Sequence, residues 1–98
     1  MNEVLELEAF AKHCLRLEKD ELDWISRMKD QLATDLLVGK PLRFSWFREK
    51  KFGNRRLFYV INENTKRALI ISFESKKEQQ KVINNVLRNR EHYLAFID

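Results

Sequence analysis

Cysteine, glycine and proline are all scarce in this chain, and each scarcity narrows what it can be. Its 98 residues hold one cysteine, two glycines and one proline. A lone thiol, Cys14, closes no internal disulfide, so the fold must rest on its core, and a reducing cytoplasm is the expected setting. With so little glycine and proline there is no linker, no low-complexity stretch and no glycine-rich phosphate loop. Long apolar runs are missing too. The longest, Leu57-Phe58-Tyr59-Val60-Ile61 and Ala68-Leu69-Ile70-Ile71, fall far below the roughly 20 residues of a membrane helix, so no span is expected. Met1-Asn2-Glu3-Val4 has neither the basic start nor the apolar run of a secretion leader. His13 and Cys14 are adjacent rather than at ligand spacing and His92 is isolated, so neither a metal nor another cofactor is expected.

What remains is rich in core-forming and charged residues: 44% of the chain is hydrophobic and 35% charged. That composition buries a core, and the length suits one domain spanning residues 1–98. The net charge of +4 hides a division. Residues 1–39 carry five Lys/Arg against nine Asp/Glu, a net of −4, whereas residues 40–98 carry fourteen against six, a net of +8. A basic half favours a polyanionic partner, because cations set against phosphates release condensed counterions.

Periodicity places the elements. Glu3–Leu7 alternates weakly and fits either a strand or a first helical turn. From Glu8 to about Leu17, Phe10, Cys14 and Leu17 share one helical face. Asp20 suits an N-cap, and Leu22, Ile25, Met28 and Leu32, widened by Trp24, mark a second helix that ends before Gly39 and Pro41. The short gap makes the two an antiparallel hairpin. After Pro41 the period becomes two: Leu42, Phe44 and Trp46 alternate with Arg43, Ser45 and Phe47. Gly53-Asn54 and Asn62-Glu63-Asn64-Thr65 are turns bounding strands at Arg55–Ile61 and Arg67–Phe73, an antiparallel meander. Ser75, with Glu78 three residues on, predicts a capped last helix burying Val82, Ile83, Val86 and Leu87. The apolar tail Tyr93, Leu94, Phe96 and Ile97 then packs back onto this sheet or onto a second copy. The fold class is α+β: an antiparallel meander packed by a helical hairpin and a C-terminal helix.

Three stretches in this order resemble the RelE/ParE toxin superfamily. Leu7-Glu8-Ala9-Phe10-Ala11-Lys12 followed by Leu17 is similar to that family's first strand running into its first helix. Gly39-Lys40-Pro41-Leu42 is similar to its "GxPL" link into the sheet. Phe47-Arg48-Glu49-Lys50-Lys51-Phe52-Gly53-Asn54-Arg55-Arg56-Leu57-Phe58-Tyr59 fits its "hRELRhGxxRhhY" hairpin without a gap, with lysine for the second arginine. The likeness covers residues 3 to about 88. It implies the order βααβββα and makes Val4–Leu7 a strand of the sheet.

The resemblance also implies a function: the toxin of a type II toxin–antitoxin pair, held by a cognate antitoxin protein. RelE-like members are ribosome-dependent endoribonucleases in which the 2′-hydroxyl of bound mRNA attacks the adjacent phosphate without a metal. Such a reaction needs a base, cations around the transition state and an acid for the leaving oxygen, and clustered lysine and arginine can serve. The candidates for catalysis are Lys50, Arg56 as the transition-state cation, and Lys76. The candidates for RNA binding are Arg43, Arg48, Lys51, Arg55 and Lys77, with Phe47 and Phe52 as rings that stack on bases. Strand alternation sets Arg48 and Lys50 on an exposed face and Glu49 and Lys51 on the other. Where RelE-like enzymes often carry a tyrosine, this chain reads Glu78-Gln79-Gln80-Lys81-Val82. Two other readings stay open: a ParE-like inhibitor of DNA gyrase without nuclease chemistry, and a catalytically inactive RNA-binding or interaction module. Sequence leaves the oligomeric state undecided.

Overall fold

The computed structural model describes all of residues 1–98. Its centre is a five-stranded sheet in the order β1-β5-β4-β3-β2. β1 (Glu3–Glu6) runs parallel to β5 (Arg67–Ser75), while β4 (Arg55–Asn62), β3 (Phe44–Phe52) and β2 (Lys40–Leu42) complete it by antiparallel pairing. Helices α1 (Glu8–Cys14) and α2 (Lys19–Thr34) cover one face; α3 (Gln79–Arg88) and α4 (Arg90–Leu94) cover the other. The α+β class holds, with one strand more than expected because β2 stands apart from β3.

Two cores follow from a central sheet buried on both faces. Leu57, Tyr59 and Ile61 of β4 turn toward Phe10 of α1 and toward Ile25, Met28 and Leu32 of α2. Phe58 and Val60 turn the other way, toward Ile83 and Val86 of α3, Tyr93 of α4 and Ile97. Strands buried on both sides read as continuous apolar runs, which is why residues 57–61 lack alternation. α2 begins two residues earlier than an Asp20 cap implies: Glu18 caps it, and the Glu21 carboxylate accepts from the Glu18 N–H at 3.0 Å in a reciprocal box. Leu22, expected in the buried stripe, is exposed, and Trp24 packs against Phe52 and Phe73 instead.

Two local expectations fail. Phe44 is 43% exposed and Phe47 fully buried, reversing the phase read for this strand. Arg43 lies between β2 and β3 with φ 68°, and the register slips between Pro41 and Leu42. Such an irregularity flips every following side chain to the opposite face. The Ser75 cap also does not form: Ser75 makes no capping bond, and a 3₁₀ turn at Lys76–Glu78 precedes α3. That turn is tied to the β3–β4 hairpin instead, with the Lys76 N–H donating to the Asn54 carbonyl at 3.0 Å. The apolar tail packs back on this same sheet, fastened by Thr65 Oγ1 to the Ile97 carbonyl and by Arg67 Nη1 to the Asp98 carbonyl.

Candidate nucleic-acid interface

The hairpin of β3 and β4 carries most of the candidate cations. Gly53, at φ +59°, and Asn54 form a two-residue turn, which fixes the pairs Phe52↔Arg55, Lys51↔Arg56, Lys50↔Leu57 and Glu49↔Phe58. Cross-strand partners share a face. Phe58 points toward α3, so Glu49, Lys51 and Arg56 lie on the α3 face, and Lys40, the register partner of Glu49 on β2, joins them. Leu57 points toward α2, so Lys50, Arg48 and Phe52 lie on the opposite face.

On the α3 face the arrangement is tight. Arg56 and Glu49 form an ion pair at 3.3 Å with side chains only 6% and 4% exposed. Gln79, the first residue of α3, donates from Nε2 to both Glu49 oxygens, at 2.6 and 3.0 Å. Lys51 stands exposed beside Arg56, and Lys76 and Lys77 are exposed on the 3₁₀ turn that approaches the same hairpin tip. On the α2 face, Arg48 serves the fold. Its guanidinium donates to the carbonyls of Leu37 and Gly39 at 2.9 and 3.1 Å, to that of Ser45 at 3.1 Å and to that of Val38 at 3.4 Å. Tyr59 donates to the same Val38 carbonyl. Burial pushes the Tyr59 hydroxyl up to about 12, against a partial lowering by the adjacent Arg48 charge.

No family model matches the sequence, and no curated protein matches it either. Solved structures do match. The isolated E. coli RelE toxin superposes with a TM-score of 0.64 over 88% of this chain and 99% of its own, at 13% identity. RelE in the intact E. coli RelBE toxin–antitoxin complex gives 0.67 over 76% and 96%, also at 13% identity. A RelE mutant bound to a peptide of the antitoxin RelB gives 0.66 over 83% and 93%, at 12% identity. The fold is that of RelE.

Within this RelE-like fold the candidate residues separate. Lys51 and Arg56 share the α3 side of the hairpin tip, and the 3₁₀ turn that carries the exposed Lys76 and Lys77 is bonded to that tip. Lys50, half-buried, belongs to the other face, so the expected grouping of Lys50 with Arg56 does not form. Arg48 is buried under the 37–39 carbonyls and is not on an exposed face as its alternation implied. Arg55 pairs with Glu21 at 3.3 Å and sits over the Phe73 ring, tying the start of α2 to the hairpin. Arg43 is exposed at the far end of β3. Of the aromatics offered for stacking, Phe47 has no exposed surface, and the half-buried Phe52 has one ring face taken by Trp24 at 5.0 Å. Glu49 and Gln79 went unrecognised. The first had a signal, since a two-residue Gly53-Asn54 turn puts position 49 on the same face as position 56; the second, thirty residues away, had none.

Beside this cluster, along α3, runs a groove of about 780 Å³ whose lining includes Leu7, Ile71, Ser72, Glu74, Lys81 and Tyr93. Residues of α3 and of the sheet edge thus leave an open, partly apolar channel next to the basic tip. No helix is long and apolar enough to cross a membrane.

Proposed function

We propose that this chain is the toxin of a type II toxin–antitoxin pair, acting in the cytoplasm on mRNA held by the ribosome. The observation that carries the reading is the convergence of Lys51, Arg56 and Lys76 at one hairpin tip of a RelE fold. An RNA strand crossing that tip meets the exposed Lys51 of β3 and Lys76 of the turn before α3, with Arg56 buried beneath them against Glu49. In the cleavage step the 2′-oxygen loses its proton to a base, attacks the adjacent phosphorus and expels the 5′-oxygen, which takes up a proton; a cyclic phosphate and a 5′-hydroxyl result. In this reading Lys51 serves as the base, Arg56 meets the charge developing on the phosphate and Lys76 protonates the leaving oxygen. The solved RelE structures with RelB support an antitoxin as the partner of this chain. The net charge of +8 over residues 40–98 suits an acidic antitoxin segment, and the partly apolar groove along α3 offers such a segment side chains to pack on.

A second reading is favoured by one observation. Glu49 already pairs with Arg56, which suits an RNA-binding module that does not cut. A ParE-like reading gains nothing from the helical hairpin, because α1 has only seven residues. Purified ribosomes translating a defined mRNA decide between the first two. Primer extension should map breaks that vanish in Arg56→Ala. RNA binding without breaks establishes the silent module, and neither effect removes RNA as the target.

A further inference from the structure

Arg56 is a cation whose hydrogen-bonding capacity is unmet. Its residue is 5% exposed, and Nε and Nη1 are buried without a hydrogen-bond partner. Nε lies 3.3 Å from Glu49 Oε1, close enough for an ion pair yet not aligned as a donor. A buried guanidinium that leaves donors unused is costly, and an anion approaching in the plane of its fork would satisfy them. The Glu49 carboxylate blocks that approach without satisfying either donor, lying against Nε out of line, and Gln79 holds it there from the first residue of α3. Glu74, the register partner of Arg56 on β5, flanks the other side, while Lys51 on β3 and Lys40 on β2 flank Glu49.

The attachment of this holding element is slight. The 3₁₀ turn and the start of α3 lack any side-chain cap, α3 has no acidic residue in its first turn, and Lys76 and Lys77 crowd the positive end of the helix. One backbone bond, Lys76 N–H to Asn54 O, fastens the turn to the hairpin.

We propose that Glu49 is a built-in competitor for RNA phosphate: its carboxylate occupies the phosphodiester position on Arg56, and Gln79 latches it so that RNA must displace the first turn of α3. The inference rests on the RNA-binding reading above and adds the regulation of that site. In the latched state the exposed lysines give weak, charge-driven binding. In the open state Glu49 swings away, Arg56 gains a phosphate through two donors, and Lys51, Lys76 and Lys77 close around the strand.

The test uses the full-length protein in two measurements. Phenylglyoxal labelling of Arg56, read by mass spectrometry without RNA, reports the latch alone. Fluorescence anisotropy with a labelled single-stranded RNA oligonucleotide reports the competition. Glu49→Gln and Gln79→Ala should each raise Arg56 labelling several-fold. They should also tighten RNA binding about tenfold, in keeping with one added charge-assisted contact. The salt slope should steepen by about 0.7, the increment for one phosphate on a single strand. In Glu49→Gln/Arg56→Ala the gain should disappear. Because Gln79 is half-buried at a helix start and bears no charge, its variant keeps the test open if Glu49→Gln fails to fold. Unchanged Arg56 labelling in both variants, or an equal affinity gain with and without Arg56, overturns the latch. Tighter Arg56-dependent binding with no effect on translation leaves the latch standing and overturns the toxin reading instead.

Discussion

The hydroxyl of Tyr59 fills the space that a side chain at position 39 would occupy, so Gly39 and Tyr59 are fitted to one another across the first layer of the sheet. A Cβ on Gly39 would collide with that hydroxyl and lie 2.6 Å from the Glu49 carbonyl oxygen, in backbone at φ +86° that disfavours any L side chain. The neighbour is a buried ring and a strand backbone, and neither can step aside. Gly39→Ala should therefore destabilise the protein by about 2 kcal/mol or more, from left-handed strain and overpacking together. Urea denaturation followed by circular dichroism measures it; a loss under 0.5 kcal/mol, within ordinary surface-substitution scatter, would show that the 35–39 loop moves freely.

Tyr59 also gives the fold an alkaline limit. Its hydroxyl titrates near 12 in the folded chain, above the ordinary value of 10. Below pH 10 both folded and unfolded chains keep the proton and Tyr59 adds no pH dependence. Between pH 10 and 12 the unfolded chain releases it and the folded one does not, so stability falls by roughly 1.4 kcal/mol per pH unit. Tyr59→Phe should lower stability at neutral pH by about 1 kcal/mol, the worth of the bond to Val38, and should flatten this decline. Paired denaturation curves at pH 9 and 11 provide the comparison, and parallel declines in both proteins contradict it.

Much of this architecture was legible because the deciding information was local. The change of period at Pro41, the Gly53-Asn54 and 62–65 turns, and the stripe Ile25, Met28, Leu32 all lie within a few residues, and each element formed where they point. The errors arose where a distant contact overrides a local pattern. Arg43 in left-handed backbone reset the β3 phase and moved Phe47 into the core while leaving Phe44 outside. Ser75 makes no cap, and the turn that follows it is fastened instead by the Lys76 N–H to Asn54 across the hairpin. Arg48 reads as an exposed cation in any strand pattern; only the chain reversal at 37–39 supplies the carbonyls that bury it. The basic tip was visible as a cluster, but its sorting into two faces needed the register.

That burial makes Arg48 and Lys50 a contrasting pair despite their shared face. Arg48→Ala removes the donor from the carbonyls of Leu37, Gly39 and Ser45, while Val38 keeps that of Tyr59, and should cost about 3 kcal/mol. Any fall in RNA affinity should follow the loss of folded protein. Thermal melts read alongside binding at a temperature where both proteins are folded separate the two effects; full stability with lost binding would return Arg48 to the interface.

The facing of the hairpin predicts a difference between adjacent lysines. Lys51 stands beside Arg56 on the α3 face, and Lys50 pairs with Leu57 on the face that α2 covers. An RNA strand following the tip past Lys76 can touch the first without touching the second. Lys51→Ala and Lys76→Ala should each weaken binding of a single-stranded RNA and reduce its salt slope by about 0.7, as expected for one lost phosphate contact. Lys50→Ala should leave the slope unchanged, although it removes the same formal charge. A charge-reversal pair sharpens the contrast, because a purely long-range effect would make Lys50→Glu and Lys51→Glu equal once salt screens beyond about 8 Å at physiological ionic strength. Anisotropy titrations over a series of salt concentrations measure the slopes. If Lys50 carries the larger loss, the strand runs over the α2 side of the hairpin and the interface assigned to the α3 face is wrong.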